Sequence, residues 1–263
     1  MKRCFSTLGC ADRSLRDILC LAKRYGIDAI EVRGIEGELN NGAIKEFLPE
    51  NASQTAEMMK ASGVRPLILG TSCSFHHEKS LENNIKEGKE ALMIAERIGF
   101  GAIRVFGNNI VGDESECLNR IAEGIKELCI CGEKTGVNVY LEVHGDINTL
   151  ERIGYIAEIC SSFTSFGIIW DICHTHNVYG DHWRSFYDPL APLIRHVHIK
   201  DISSGRLVLP GKGEIHIAEI VKHLTENGYN GYFSLEWERH WHRELCEIEG
   251  ALDEMFRIFE SRE

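Results

Sequence analysis

The stretch Ile168-Ile169-Trp170-Asp171-Ile172-Cys173-His174-Thr175-His176 sets a carboxylate and two imidazoles directly after an apolar run. A short apolar run that stops at a charged residue reads as a buried strand with a site at its C-terminal end. Taken alone, Asp171, His174 and His176 have the composition of three metal ligands from one segment. Three further segments carry groups of the same kind. Val139-Tyr140-Leu141-Glu142-Val143-His144 holds a glutamate in an apolar context. In Arg195-His196-Val197-His198-Ile199-Lys200-Asp201, strand alternation puts His196, His198 and Lys200 on one face and Val197 and Ile199 on the other. Phe233-Ser234-Leu235-Glu236-Trp237-Glu238 puts Glu236 and Glu238 on a common face.

Three carboxylates and one imidazole, converging from four successive strands, need compensation for their charge, and a divalent cation provides it. An oxygen-rich set with one histidine suits Mn²⁺ first, with Mg²⁺, Co²⁺ or Zn²⁺ as the other choices. Each segment also has a plainer reading. A lone strand glutamate is often solvated or salt-bridged, and the alternation at 195–201 also fits a half-exposed antiparallel strand. The matching position of these groups in four consecutive repeats favours a shared site.

The elements that must position these groups alternate along the whole chain. Apolar, β-branched stretches fall at 3–7, 29–33, 64–69, 102–106, 138–144, 166–171, 194–200 and 232–238. Helical stripes lie between them: Leu15, Ile18, Leu19 and Ala22 behind a Ser14 cap; Ala91, Ile94, Ala95 and Ile98; Ile121, Ile125, Leu128 and Cys129; Ile217, Ile220, Val221 and Leu224. A last helix spans 245–259. Glycines 26, 63, 99, 136 and 228 stand where helices should stop before the next strand. Eight strand signals, each followed by a helical or connecting stretch, predict a single (β/α)8 TIM barrel in the α/β class, one domain over residues 1–263. The competing open doubly wound sheet lacks a GxGxxG after its first strand. Barrel enzymes carry their sites at the C-terminal ends of the strands, where all the groups above fall.

Composition limits the partners. The 263 residues are 43% hydrophobic and 26% charged, ordinary for a globular protein, with a net charge of −11. Such an acid balance disfavours nucleic acid, whose affinity for proteins rests on Lys and Arg neutralising phosphates. No run of about 18 apolar residues is present, which argues against a membrane partner. No signal peptide is visible behind Met1-Lys2-Arg3. The ten cysteines are scattered without a CxxC pair, and Cys20, Cys129 and Cys160 sit in apolar runs. Reduced thiols in a cytoplasmic protein are therefore expected.

The motifs Leu141-Glu142-Val143-His144, Trp170-Asp171-Ile172-Cys173-His174, His196-Val197-His198-Ile199-Lys200-Asp201, Pro210-Gly211-Lys212-Gly213-Glu214 and Leu235-Glu236-Trp237-Glu238 resemble those of the sugar phosphate isomerase/epimerase family. This belongs to the xylose isomerase-like barrel superfamily, which also holds ketose 3-epimerases, inosose dehydratases and endonuclease IV. The resemblance implies that Glu142, Asp171, His198 and Glu236 bind one divalent metal ion. It implies that His174 contacts a substrate oxygen and that Arg206 reaches over the substrate. Glu142 and Glu236 would also act as acid and base. A further glutamate of the ketose epimerases is replaced here by Asn148, leaving its role to His144 and Asp146. Related barrels commonly form dimers or tetramers, so a homodimer or homotetramer is the expectation.

The chemistry expected of such a site is proton abstraction next to the carbonyl of a sugar or polyol, through a metal-stabilised enediolate. Return of the proton to the opposite face gives epimerisation; return to the neighbouring carbon gives isomerisation. Loss of the β-hydroxyl instead gives an inosose dehydratase-like reaction. An endonuclease IV-like role is disfavoured: Arg104-Val105-Phe106-Gly107-Asn108-Asn109 lacks a histidine, and Ser204-Gly205-Arg206-Leu207-Val208-Leu209 lacks Asp-x-His. A non-catalytic sugar-binding barrel is disfavoured by the two carboxylates in acid/base positions. Lys200 could take a substrate phosphate or carboxylate, or pair with Asp201. Glu31 and Arg33 could pair with each other or touch substrate. His76 and His77 could line the mouth, and Trp241 could cover a sugar face or pack between subunits.

Overall fold

In the computed structural model, which describes residues 1–260, strand β1 (Lys2–Ser6) is the seam where the sheet closes on itself. It is followed by β2 (Ala29–Val32), β3 (Arg65–Ser74), β4 (Ala102–Phe106), β5 (Asn138–Glu142), β6 (Phe166–Asp171) and β7 (Ile194–Ile199). A hairpin of β8 (Asp201–Ser203) and β9 (Arg206–Val208) precedes the last barrel strand, β10 (Tyr232–Leu235). The order around the closed barrel is β1-β10-β7-β6-β5-β4-β3-β2, all parallel. Pairing of β1 with β10, from Lys2↔Tyr232 to Phe5↔Leu235, rules out the open sheet.

The helices are α1 (Leu15–Arg24), α2 (Ala52–Ser62), α3 (Leu81–Ile98), α4 (Glu114–Thr135), α5 (Leu150–Cys160), α6 (Ile172–Tyr179), α7 (Arg184–Leu190), α8 (Ile217–Glu226) and α9 (Ile248–Glu260). Their apolar stripes are buried as the 3.6-residue period requires, with only Ile94 half-exposed among those expected. Ser14 Oγ accepts from Asp17 N at 3.2 Å, capping α1 as its sequence predicts. All five expected glycine stops have positive φ, and Gly63, Gly99 and Gly136 are themselves the left-handed C-caps of α2, α3 and α4.

Strand alternation divides the interior in two. Ile103 and Val105 of β4 join a large apolar ring between barrel and helices, whereas Ala102 turns inward with Ile68 and Ile169. These three, with Leu67 and Tyr140 against them, form a small apolar plug inside the barrel. The next inward positions toward the strand ends are polar and buried: Glu31, Arg104, Glu142, Asp171, His198, Ser234 and Glu236. The plug is the floor on which the site rests.

Some boundaries differ from expectation. β5 ends at Glu142 and β10 at Leu235, so His144, Glu236 and Glu238 belong to the segments that leave the strands. Glu236 N still donates to Ile199 O at 3.0 Å, which keeps its side chain over the barrel. The hairpin β8–β9 was not anticipated. It is anchored by Asp201, whose carboxylate accepts from the backbone N–H of Ile202, Gly211, Gly213 and Ile215 at 2.9–3.1 Å. A Cβ at position 213 would collide with the Asp201 carboxylate and the Ile202 carbonyl, so the second glycine of Pro-Gly-Lys-Gly is sterically required.

All ten cysteines are free. Burial pushes the thiols of Cys10, Cys73, Cys129, Cys160 and Cys173 up to about 12, which keeps them protonated. Cys20, expected inside, is exposed on α1. No helix among the described residues is long and apolar enough to cross a membrane.

The ring of helices is fastened where α9 meets α1. Glu249 takes both guanidinium nitrogens of Arg13, at 2.8 and 2.9 Å, and Arg24 at 3.0 Å. The Arg13 hydrogen bond first of all lowers the Glu249 carboxyl from 4.5 to about 2. A carboxyl depressed in the folded state stabilises it above the unfolded pKa, and this contribution fades as pH falls toward the folded pKa. The Tm gap between wild type and Glu249→Gln is therefore expected to be constant above pH 5 and to close between about 4.5 and 2. Because the pair is partly solvated, the gap corresponds to about 1 kcal/mol or less. Thermal melts across that pH range check it; a gap that widens on acidification contradicts it.

Candidate active site

Glu142 ends β5, Asp171 ends β6, His198 lies on β7, and Glu236 follows β10. Donor atoms from these four buried residues all lie within 4.8 Å of one another. At their focus is His198 Nδ1, which has no hydrogen-bond partner. It faces Glu236 Oε2 at 3.4 Å, Glu142 Oε1 at 3.9 Å and Asp171 Oδ2 at 3.9 Å.

Protein contacts aim these groups. Glu142 Oε2 accepts from Arg104 Nη1 at 2.6 Å, leaving Oε1 for the focus. Asp171 is the N-cap of α6: its Oδ1 accepts from the N–H of Cys173 at 2.8 Å and of His174 at 3.0 Å, leaving Oδ2 toward the focus. His198 Nε2 lies 3.0 Å from Glu31 Oε2, and His196 Nε2 lies 2.7 Å from Glu31 Oε1. Ser234 Oγ also donates to Glu31. A carboxylate that accepts Nε2–H leaves Nδ1 as the outward-facing nitrogen, the arrangement usual behind metal-bound histidine.

The electrostatics fit a cation at this point. Three carboxylate oxygens and a ring nitrogen converge, and the only cationic groups at them are the Lys200 ammonium, on Glu236 Oε2 and Asp171 Oδ2, and His198 itself when protonated. Burial opposes charge on His198, yet Glu31, Glu236 and Glu142 raise its pKa well above the ordinary imidazole value. The donor set, three carboxylates and one imidazole, suits a hard or borderline divalent ion.

Lys200 is the largest departure from expectation. It is buried, and its Nζ reaches Glu238 Oε1 at 2.6 Å, Glu236 Oε2 at 2.7 Å and Asp171 Oδ2 at 2.8 Å. It does not pair with Asp201, whose carboxylate is occupied by the hairpin backbone. Burial works against the charge of Lys200, but Asp171, Glu236 and Glu238 raise its pKa well above the usual value. Burial likewise works to raise the Glu236 pKa, but Lys200 and then His198 outweigh it and hold the carboxyl well below the usual range.

Two adjoining cavities open over this cluster, sharing His144, Lys200 and Glu238. The larger, about 510 Å³, is also lined by His174, Arg206 and His242. The smaller, about 270 Å³, reaches down to Arg33, Arg104, Glu142 and Glu236, with Trp241 at its rim. His144 packs between Phe106 and His174, with ring centroids 4.9 and 4.3 Å away. Burial lowers the His144 pKa. Arg206 is exposed on β9.

Other expectations are corrected. His176 lies on α6 outside both cavities, so Ile168–His176 brings one group to the focus, not three. Glu31 and Arg33 do not pair. Arg33 donates to Leu39 O and Ser72 Oγ and lines the smaller cavity; burial, then Arg104, lowers its pKa to about 10. Asp146 is exposed and accepts from Ile110 N at 2.9 Å, so it holds a loop. The His76 and His77 rings pack against each other, tilted by 42°, and line neither cavity. Trp241 is 55% exposed at the mouth. Sequence reasoning missed Arg104, although an arginine inside an otherwise apolar strand was the available signal.

A family model described as xylose isomerase-like TIM barrel matches residues 19–261. Fructoselysine 3-epimerase from Escherichia coli O157:H7 is 27% identical over 231 residues, covering 82% of each chain. Inosose dehydratase from Bacillus thuringiensis (strain Al Hakam) is 23% identical over 239 residues, covering 76% of this chain and 78% of the relative. Among solved structures, the probable 3-DHS dehydratase AsbF from Bacillus anthracis superposes with a TM-score of 0.80 at 19% identity, over 100% of both chains. The IolI protein with a bound zinc atom gives 0.78 at 22% identity, over 98% of this chain and 96% of that one. With the closed eight-stranded barrel and the matching family model, the chain belongs to the xylose isomerase-like TIM barrel family.

Proposed function

We propose that this protein is a metal-dependent isomerase or epimerase of a sugar or sugar phosphate, acting by proton transfer at the carbon next to a carbonyl. The observation that carries this reading is the placement of Glu142 and Glu236. They arrive from β5 and β10, on either side of the adjacent strands β6 and β7, yet both approach His198 Nδ1. A substrate carbon held between them has a carboxylate on each face.

Glu142, Asp171, His198 and Glu236 would hold one divalent ion, with Mn²⁺ as the first choice. When bound, the ion supplies Lewis-acid stabilisation of negative charge on the substrate oxygen. The chain's own residues do the rest. Lys200 keeps Glu236 ionised, so it can accept a proton. Arg104 fixes the rotation of Glu142 so that one oxygen stays available. His144, His174 and Arg206 line the larger cavity, where they can orient hydroxyl oxygens, and Trp241 offers an aromatic face. Glu238, tied to Lys200 at the cavity wall, completes the polar lining.

Removal of the proton by one glutamate and delivery of a proton to the opposite face by the other, protonated glutamate would epimerise the carbon, and return by the first to the neighbouring carbon would isomerise the sugar. A second reading, dehydration of a keto-polyol, is supported by the similarity to inosose dehydratase. It shares the first proton removal and differs in the loss of the β-hydroxyl. Incubation of Mn²⁺-loaded protein with a panel of keto sugars and inososes in D₂O separates these outcomes. Deuterium at the α-carbon without net loss of substrate is expected. Loss of water assigns the dehydratase. Absence of exchange with every polyol overturns the proposal.

A further inference from the structure

A cavity of about 600 Å³ is at the opposite end of the barrel from the candidate active site. Its walls come from the N-terminal ends of strands: Arg65 begins β3, Arg195 is the second residue of β7, and Tyr232 begins β10. The loop from Asn227 to Tyr232 closes one side, and Tyr140 and His196 reach it from the barrel interior.

Its charge is unlike that of the rest of the molecule. The chain carries a net charge of −11, yet this cavity is lined by two arginines and no carboxylate. Among the described residues neither Arg65 nor Arg195 is in an ion pair, and the Arg195 guanidinium donates to a neutral carbonyl, Pro192 O. Both line the cavity together with the partly buried Tyr140. Burial raises the Tyr140 pKa, and the charges of Arg195 and then Arg65 oppose the rise. His196, 1% exposed, has an Nδ1 with no hydrogen-bond partner, while its Nε2 is held by Glu31. With Nε2–H given to Glu31, Nδ1 is an acceptor closed off from solvent, so the cationic lining of the cavity is the two arginines.

We propose that this cavity binds a small organic anion through a phosphate or carboxylate group. The two guanidiniums at the rim would hold the charged group, the geometry for which arginine is suited. The side-chain amides of Asn227 and Asn230 and the ring of Tyr140 would take the uncharged part. The site is separate from the proton-transfer site and does not depend on that reading.

The test is a calorimetric titration of the full chain with inorganic phosphate and, separately, succinate at constant ionic strength, alongside aromatic ¹H–¹³C spectra. Saturable binding of at least one is expected, with shifts at Tyr140, Tyr229 and Tyr232. The anion that binds identifies the group recognised. The Arg65→Gln/Arg195→Gln double variant should weaken binding about tenfold or more. Both side chains are exposed, so the variant is expected to keep the wild-type Tm. Arg206→Gln, at the other end of the barrel, should leave the affinity unchanged. Absence of saturable binding by either anion, undiminished binding in the double variant, or loss of binding in Arg206→Gln overturns the proposal.

Discussion

Glu236→Gln is expected to abolish measurable exchange of the α-proton while the protein still folds and retains weakened metal binding. The substitution preserves shape but removes the negative oxygen that accepts the proton. That oxygen is 2.7 Å from Lys200 Nζ and 3.4 Å from His198 Nδ1, so Glu236 is at the centre of the cluster. Loss of a general base typically costs about 10²–10⁴ in rate. Glu142, Asp171 and His198 remain, so weakened but detectable binding of a divalent ion is expected. Deuterium incorporation by wild type and variant, measured on the same substrate, reads the effect. Unchanged exchange removes Glu236 from the mechanism.

Glu31→Gln is expected to lower both stability and metal affinity. Glu31 is 4% exposed and serves three partners: His196 Nε2 at 2.7 Å, His198 Nε2 at 3.0 Å, and Ser234 Oγ. Burial works to raise its pKa, but His198 and then His196 hold it well below the usual carboxylate range. A glutamine offers one accepting oxygen and an NH₂ group, so at least one imidazole N–H meets a donor instead. Breaking a buried charged pair typically costs about 3–5 kcal/mol. In a chain of this length that lowers Tm by roughly 10 °C. Removing the partner behind a metal-binding imidazole typically lowers affinity by about 10–100-fold. A melt and a Mn²⁺ titration of the variant measure the two effects separately. Wild-type values in both would show that Glu31 does not anchor His198.

The barrel was legible because its signals are local. Strand alternation and helix stripes repeat within windows of a few residues, and the glycine stops mark where one gives way to the other. That carboxylates and an imidazole would meet was legible for a related reason: they stand at strand ends, and the fold brings strand ends together. The choice of His198 over His196 and of Glu236 over Glu238 came from the family resemblance, not from the strand pattern. The partners that aim them were not legible. Glu31 meets His196 and Ser234 across 165 and 203 positions, and Arg104 meets Glu142 across 38. Nothing in the vicinity of Glu31 or Arg104 distinguishes these pairings from a Glu31–Arg33 pair on one strand. Alternation already set Lys200 on the face of His196 and His198, apart from Asp201. Its three carboxylate partners were not legible, because they come from the end of β6 and from the segment after β10. Asp201 turns the other way, to a backbone turn.

The central claim is that four residues from four strands form one divalent-metal site. Titration of chelator-treated protein with Mn²⁺, in wild type and in Asp171→Asn, tests it most directly. Asparagine can still cap α6 through its side-chain oxygen, so the change falls mainly on the charge facing Lys200 Nζ and His198 Nδ1. The expected result is one ion per chain in the wild type and an affinity at least about 100-fold weaker in the variant. No saturable binding by the wild type, or equal affinity in the two proteins, would contradict the account.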